Sequence, residues 1–230
     1  MSKWFKMKTL LLLLVFVTFF LAGFYTCYTR GAFYQSLRFI SDELKTFFGK
    51  DLIIESEKPS ILIVGDSLAA RGDWRILQQK YTTINCGKGG ALTSEVFKNI
   101  GLNFKKEQQF KAVVVLTGTN DIGHQSALPE VMEHYQDLIM DLDSYTEQII
   151  LVSVPLLFGP DEFDRRPSIR MFNQMLESVE GKGVSFIEWS KVLSPYADTV
   201  EPEWIADKLH LKGKAYSPLG EEILQILKKQ

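Results

Sequence analysis

The chain has 230 residues, a formal net charge of −2 and 46% hydrophobic residues, so it can bury the core of one or two domains. This charge disfavours a general nucleic-acid-binding protein, which would show a basic excess. With only two cysteines and three histidines, the chain cannot form a disulfide scaffold or a four-thiolate zinc site, and an imidazole-rich metal site is disfavoured. We therefore expect no nucleic-acid partner, no metal and no cofactor.

The first thirty residues differ in character from the rest of the chain. They carry four basic side chains and no acidic one, whereas the remaining 200 residues have an acidic excess. Residues 10–28 form a run of 19 residues without charge or proline. As a helix this run would reach about 28 Å, close to the hydrocarbon thickness of a bilayer. It therefore predicts a transmembrane helix.

Two kinds of cleaved signal compete with a retained anchor over residues 1–30. A secretory signal peptide has a shorter apolar region and small residues before its cleavage site, but Leu21 is large. A lipoprotein signal places its cysteine directly after small residues, whereas three residues separate Cys27 from Gly23. We favour an uncleaved signal anchor.

The charges beside residues 10–28 also predict the orientation of the anchor. Lys3, Lys6 and Lys8 precede the run, so the positive-inside rule places the N-terminus in the cytoplasm. The chain would then cross the cell membrane once and expose its remainder to the periplasm or the cell exterior. Residues 31–58 predict an amphipathic stalk and linker, and residues 59–230 a globular domain.

From residue 61 onwards, short apolar runs alternate with longer amphipathic runs. The apolar runs predict strands at 61–64, 81–85, 112–117, 148–154 and 184–189. The amphipathic runs predict helices near 70–80, 93–107, 128–146, 166–180 and 214–229. Such alternation is typical of an α/β three-layer sandwich, in which helices cover both faces of a mostly parallel sheet. Ligands of such sheets bind at the carboxyl ends of the strands.

Residues 65–68, which read GDSL, follow the first predicted strand. The glycine permits a sharp turn, and Asp or Ser before a helix is ordinarily an N-cap. A nucleophilic serine would also fit this place. Taken alone, Ser67 is explained by either interpretation.

Residues 85–90, which read NCGKGG, follow the second predicted strand. Their glycines let backbone N–H groups approach a ligand closely. A dinucleotide fingerprint would need glycine where Leu92 stands, and a Walker loop would need Ser or Thr directly after Lys88. Phosphate binding is therefore disfavoured, whereas a plain tight turn remains open.

Two further polar segments lie at 118–121, which read GTND, and at 207–210, which read DKLH. Asn and Asp after a strand are ordinary turn residues. In the second segment, a carboxylate three residues before a histidine can reach its Nδ1–H, as the third member of a serine triad does. Each segment alone is weak support for catalysis.

Together, the four segments occur in an order that resembles the SGNH (GDSL-type) hydrolase family, over roughly residues 60–229. The resemblance implies a flavodoxin-like α/β fold with a five-stranded sheet, here preceded by the predicted transmembrane helix. It implies a serine esterase in which Ser67 is the nucleophile, His210 the general base and Asp207 the residue that orients it.

The same resemblance implies an oxyanion hole formed by the backbone N–H groups of Ser67 and Gly90 and the side-chain amide of Asn120.

Four further residues are candidates for the walls of the pocket. Leu157 and Phe158 follow the fourth predicted strand and could wall an acyl pocket. Asp66 and His124 also lie near the expected site, although a hydrogen bond to the loop backbone explains Asp66 and a surface position explains His124. Arg165 and Arg166 could meet an anionic substrate, and a solvated loop explains them equally well.

The sequence thus predicts a membrane-anchored serine esterase acting on an O-acetyl or other short acyl group of an envelope glycan or lipid. An acyltransferase that passes the acyl group to a sugar hydroxyl would use the same chemistry and is the main alternative. A non-catalytic binding module is a third hypothesis, suggested by Arg71-Gly72-Asp73, a tripeptide that can be an adhesion motif.

Overall fold

A computed structural model describes residues 58–100, 109–156, 165–195, 200–207 and 209–229. The predicted membrane anchor, almost all of the predicted stalk, and Leu157 and Phe158 lie outside these ranges. None of the helices in the described ranges is long and apolar enough to span a bilayer.

The described chain is built on one sheet of five strands. They are β1 (Ser60–Gly65), β2 (Thr82–Asn85), β3 (Ala112–Leu116), β4 (Ile149–Val152) and β5 (Val184–Ile187). All neighbouring strands pair in parallel, in the order β2-β1-β3-β4-β5, which is the flavodoxin-like order. The five predicted strands and the α/β fold are therefore confirmed, and the sheet is wholly parallel.

Helices connect the strands, and the last two helices follow β5. They are α1 (Ser67–Ala70), α2 (Arg75–Gln78), α3 (Val96–Asn99), α4 (Thr119–Gly123), α5 (Leu128–Asp143), α6 (Arg166–Glu177), α7 (Trp189–Leu193) and α8 (Tyr216–Lys228). Short 3₁₀ turns lie at Thr93–Glu95, Pro202–Trp204 and Gly213–Ala215.

The prediction of one helix near 70–80 is wrong, because α1 and α2 are separated by a turn at residues 71–74. In this turn the indole of Trp74 lies against Gly72, so closely that a Cβ at Gly72 would collide with it. The indole Nε1 also donates to the carbonyl of Ala69, at 3.3 Å. Packing of Trp74 against the end of α1 therefore overrides the helical pattern.

Side chains alternate between two apolar clusters across the sheet. In β1, Ile61 and Ile63 belong to the cluster that contains Trp189 of α7 and Tyr216 of α8. Leu62 and Val64, the alternate residues, belong to the cluster that α5 and α6 cover. Burying one side chain of this size stabilises the folded domain by roughly 1.5–3 kcal/mol. Without helices on both faces of the sheet, these side chains would be exposed to water.

The direction of the chain around the sheet reverses between β1 and β3. The connection from β1 leads to β2 on one side, and the next connection crosses β1 to reach β3 on the other. Ligands bind outside the carboxyl ends of the strands at such a switch point. The residues after β1 and β3 therefore mark the place where a site is expected.

Candidate active site

Ser67 is held at the end of β1 by a sharp turn. Gly65 has a φ of +141°, and a Cβ there would collide with the backbone carbonyl of Leu116 in β3. Asp66 then caps α1, because its Oδ1 accepts the N–H of Leu68 at 2.8 Å. Ser67 is consequently the first residue of α1, and only 4% of it is exposed.

The hydroxyl of Ser67 begins a chain of hydrogen bonds that spans three side chains. The Nε2 of His210 lies 2.9 Å from the Oγ of Ser67. The Nδ1 of the same ring lies 2.9 Å from each carboxylate oxygen of Asp207. Ser67 and His210 are 143 residues apart in sequence, so the fold brings together the three residues that the sequence proposed as a triad.

Asp207 is fixed by backbone groups as well as by the imidazole. Its Oδ1 accepts the N–H groups of Leu209 and His210, each at 2.8 Å. The hydrogen bond from the Leu209 N–H, followed by the hydrogen bonds and charge of His210, holds the pKa of Asp207 below its usual range, although the side chain is 54% exposed. An ionised Asp207 favours the tautomer with hydrogen on Nδ1, so Nε2 can accept the Ser67 hydroxyl proton.

The glycine segment after β2 packs directly against α1. A Cβ at Gly87 would come within 2.8 Å of Ala69, and a Cβ at Gly89 would lie 3.9 Å from the Cβ of Ser67. Gly90 has a φ of +80°, and a Cβ there would have no described atom within 4 Å. The turn at Gly90 therefore faces open space next to the serine.

Asn120 lies in the first turn of α4, which follows β3. Gly118, with a φ of +110°, precedes the helix as its N-cap. The Nδ2 of Asn120 donates to the carbonyl of Ala91 at 2.9 Å, which ties this helix to the glycine segment. No other described residue accepts a hydrogen bond from this amide, so its second N–H can serve a ligand. The three predicted oxyanion-hole donors thus lie on segments that directly contact one another.

Asp66 and Asp121 serve the structure beneath the site. Asp66 has no exposed surface, so its side chain acts on the backbone of Leu68 rather than lining an open pocket. Burial raises the pKa of Asp66 to about 6, and this effect outweighs the lowering effect of its hydrogen bond from the Leu68 N–H. Asp121 accepts both the N–H and the hydroxyl of Thr93.

Two further candidates for contact with the substrate, His124 and Arg165, lie at the ends of helices. His124 is exposed at the C-terminal end of α4, where its N–H donates to the carbonyl of Asn120 at 2.8 Å. Arg165, at the start of α6, has a guanidinium nitrogen 3.4 Å from where a Cβ of Gly123 would lie. Leu157 and Phe158 lie outside the described residues.

Arg71 is a neighbour of the triad that the sequence did not reveal. Its Nη1 lies 3.1 Å from the Nδ1 of His210, across 139 residues of sequence. The sequence singled out Arg71 only as part of the tripeptide at 71–73, and Asp73 of that tripeptide pairs with Arg75. No short motif signals this contact, because it depends on the packing of two distant loops.

Solved structures share this fold with low sequence identity. A protein from Streptococcus pneumonia, assigned provisionally as a platelet activating factor, is 20% identical with a TM-score of 0.66, covering 84% of this chain and 98% of that one. An acetylxylan esterase from Geobacillus stearothermophilus is 17% identical (TM-score 0.60, covering 76% and 95%). A GDSL-like lipase from Bacteroides thetaiotaomicron is 15% identical (TM-score 0.60, covering 81% and 97%).

No curated protein matches the chain. The model of the family described as "GDSL-like Lipase/Acylhydrolase family" matches residues 63–217, a span that contains Ser67, Asp207 and His210. That match covers more than half of the chain and agrees with the resemblance drawn from the four sequence segments. The chain belongs to the GDSL-like lipase/acylhydrolase family and is a serine hydrolase that acts on ester bonds.

Proposed function

We propose that this protein is a membrane-anchored esterase that removes an O-acetyl or other short acyl group from an envelope glycan or lipid through an acyl-serine intermediate. The observation that carries the mechanism is the continuous hydrogen-bonded chain from the Oγ of Ser67 through His210 to Asp207, with distances of 2.9 Å at each step. A hydroxyl is a weak nucleophile unless such a base takes its proton.

In the first half of the reaction, the Oγ of Ser67 forms a bond to the carbonyl carbon of the ester while its proton moves to the Nε2 of His210. The π electrons of the carbonyl move to its oxygen. The N–H groups of Ser67 and Gly90 and the amide of Asn120 stabilise the resulting oxyanion.

The oxyanion then collapses, and His210 gives its proton to the departing alkoxide, which leaves as the alcohol. Water attacks the acyl-serine in the same way, giving its proton to the Nε2 of His210. The second collapse returns that proton to Ser67 and releases the carboxylic acid. One water is consumed per ester, and Asp207 balances the charge of the imidazolium in both halves.

Three observations support the roles and the class of substrate. An acetylxylan esterase has the same fold, and its Ser-to-Ala and His-to-Ala variants are described as catalytic mutants. The uncharged run at 10–28 would hold the catalytic domain at a membrane, on the side where acylated glycans and lipids of the envelope occur. The class of substrate is thus proposed from the location of the catalytic domain.

Activity is tested on the full-length protein in detergent, with a fluorophosphonate probe and p-nitrophenyl esters of increasing acyl length. We expect labelling and turnover that are greatest with the shortest acyl groups and that disappear in Ser67→Ala. The matched control is Ser168→Ala, a serine exposed on α6, which should keep both. Unchanged turnover in Ser67→Ala would contradict the mechanism, and turnover only with an added glycan acceptor would favour the acyltransferase.

The anchor is tested separately by cell fractionation. We expect the full chain to stay with membranes after alkaline carbonate extraction, and a variant without residues 1–30 to be released. An alkaline phosphatase fused to the C-terminus should be active, since that end would face away from the cytoplasm. Release of the full chain by carbonate would contradict the anchor without affecting the esterase mechanism.

A further inference from the structure

Arg71 is placed next to the triad by the end of α1. Its N–H donates to the carbonyl of Ser67 at 3.0 Å, which closes a single helical turn that begins at the serine. From there the exposed side chain reaches His210, where the Nη1–Nδ1 distance is 3.1 Å. The imidazole of His210 thus contacts this guanidinium through Nδ1 and the Oγ of Ser67 through Nε2.

His210 cannot accept a hydrogen bond from Arg71 in the tautomer that serves catalysis. In that tautomer Nδ1 carries a hydrogen, directed at the carboxylate of Asp207. A protonated ring nitrogen has no lone pair to offer, and a guanidinium has only donors. The contact therefore leaves the donors of Arg71 unsatisfied by His210 and available to another acceptor.

The charge of Arg71 is also unbalanced in the described part of the chain, where no carboxylate lies within ion-pair distance of it. The next arginine differs in this respect, since Arg75 is paired with Asp73 through two nitrogens. The carboxylate of Asp207, which contacts the same Nδ1, already accepts the Nδ1–H of His210 and two backbone N–H groups. Within the described residues, Arg71 is thus an exposed cation beside the histidine that pairs with no carboxylate.

We infer that Arg71 binds an anionic group, a carboxylate or a phosphate, carried by the alcohol part of the ester. This inference rests on the proposed esterase mechanism, in which His210 protonates the departing alcohol, so that this part of the substrate lies on the histidine side of the serine. The planar fork of a guanidinium matches the oxygens of either anion. Binding leaves the covalent steps unchanged and selects which esters undergo them.

The test compares acetate esters whose alcohol part carries an anionic group with partners in which that group is methylated and uncharged, using the full-length protein in detergent. The carboxylate arm pairs meta-acetoxybenzoate with its methyl ester, and the phosphate arm pairs meta-acetoxyphenyl phosphate with its dimethyl ester. The measured quantity is the ratio of kcat/KM for the anionic ester to kcat/KM for its neutral partner. We expect a ratio of about ten in at least one arm, from the usual strength of a charge-assisted hydrogen bond, falling as salt is added.

Variants then assign the preference to Arg71. In Arg71→Gln the ratio should fall to about one, and in Arg71→Lys it should be intermediate, because an ammonium keeps the charge but lacks the fork. Arg75→Gln is the matched control, since it removes a neighbouring arginine already paired with Asp73, and it should keep the wild-type ratio. An Arg71 that merely positioned His210 would slow both esters of a pair equally and leave the ratio unchanged.

Two results would overturn the inference alone: a wild-type enzyme that hydrolyses both members of each pair equally well, or an Arg71→Gln variant that retains the wild-type ratio. A wild-type protein that hydrolyses none of the four esters and does not react with the fluorophosphonate probe would overturn the proposed function and this inference with it. The arm in which the ratio exceeds one identifies the anion.

Discussion

Asn120 has two tasks at the site. One N–H of its amide donates to the carbonyl of Ala91, and the other completes the proposed oxyanion hole. Asn120→Ala should therefore lower kcat for p-nitrophenyl acetate by about 10²–10³ with little change in KM, because the lost contact strengthens only in the transition state. A fall of less than about threefold would contradict this role.

The hydrogen bond from Asn120 to Ala91 calls for its own control. Loss of the bond to Ala91 could loosen the glycine segment and displace Gly90. The midpoint of thermal unfolding should therefore be measured with the kinetics, and we expect a small decrease, since one partly exposed hydrogen bond contributes about 1 kcal/mol. A kinetic loss at nearly constant stability assigns the effect to the oxyanion hole.

Asp207 acts on the tautomer of His210, and Asp207→Asn tests this. The amide oxygen of asparagine can still accept the N–H groups of Leu209 and His210, so the local turn should persist. The amide no longer prefers hydrogen on Nδ1 and no longer balances the imidazolium. We expect kcat/KM to fall by roughly 10²–10⁴. The fall should lie at the lower end of this range if a water molecule takes over the role of this half-exposed carboxylate beside Nδ1. Fluorophosphonate labelling should slow in parallel, and unchanged labelling would argue that Asp207 has no such role.

The sequence predicted much of the site because its residues lie in four short segments, three directly after strands and one before the last helix. The order GDSL, glycine segment, GTND and DKLH was sufficient to propose Ser67, Asp207 and His210 as partners. Arg71 could not be found in this way, because its contact with His210 depends on where the turn after α1 directs a long side chain. The ionisation of Asp66 was also beyond the sequence, since it depends on complete burial.

At the scale of elements, the strands were easier to predict than the short helices. The three central strands β1, β3 and β4 are apolar runs buried on both faces, a pattern that local sequence specifies directly. The edge strands β2 and β5 are only partly buried. The pattern near 70–80 predicts one helix. A turn at residues 71–74 separates α1 from α2 instead, because Trp74 packs back against α1 and Gly72, a tertiary contact without a local signal.

The junction between β1 and α1 should tolerate no side chain at Gly65. An alanine there would need an unfavourable positive φ, and its Cβ would collide with the carbonyl of Leu116. We expect Gly65→Ala to lower the free energy of unfolding by roughly 2–5 kcal/mol and to displace Ser67. Urea unfolding and p-nitrophenyl acetate turnover measure the two effects.

Gly181→Ala is the matched control for Gly65→Ala. Gly181 is exposed, has no positive φ, and would place its Cβ 3.9 Å from the nearest described atom, the carbonyl oxygen of Val179. This substitution should leave turnover unchanged and shift the free energy of unfolding by less than about 1 kcal/mol. Equal effects of the two substitutions would show that the β1–α1 turn is not specially constrained.

At the scale of the whole molecule, the buried carboxyl of Asp66 links the site to the stability of the domain. It lies between the nucleophile and the core, where burial raises its pKa from the ordinary 3.8 to about 6. A shift of about two pH units corresponds to about 3 kcal/mol. Domains are usually stable by only about 5–15 kcal/mol, so this one ionisation is a substantial fraction of the total.

The sign of this effect follows from which state holds the proton. Between about pH 4 and pH 6 the folded protein keeps Asp66 protonated while the unfolded chain releases the proton. The stabilisation is therefore complete below about pH 4 and is lost as the pH rises through about 6. In the Asp66→Asn variant this dependence is absent, while the amide oxygen can still accept the N–H of Leu68 and cap α1.

The prediction is best measured as a difference between the two proteins, because every other titrating group then cancels. We expect the free energy of unfolding of Asp66→Asn, relative to the wild type, to rise by about 3 kcal/mol from pH 4 to pH 7. Urea unfolding followed by tryptophan emission measures it, since Trp74 and Trp189 are buried in the core. A difference that is constant over this range would mean that Asp66 ionises as it does in water. In that case the region around Ser67 would have to be more hydrated than its complete burial implies.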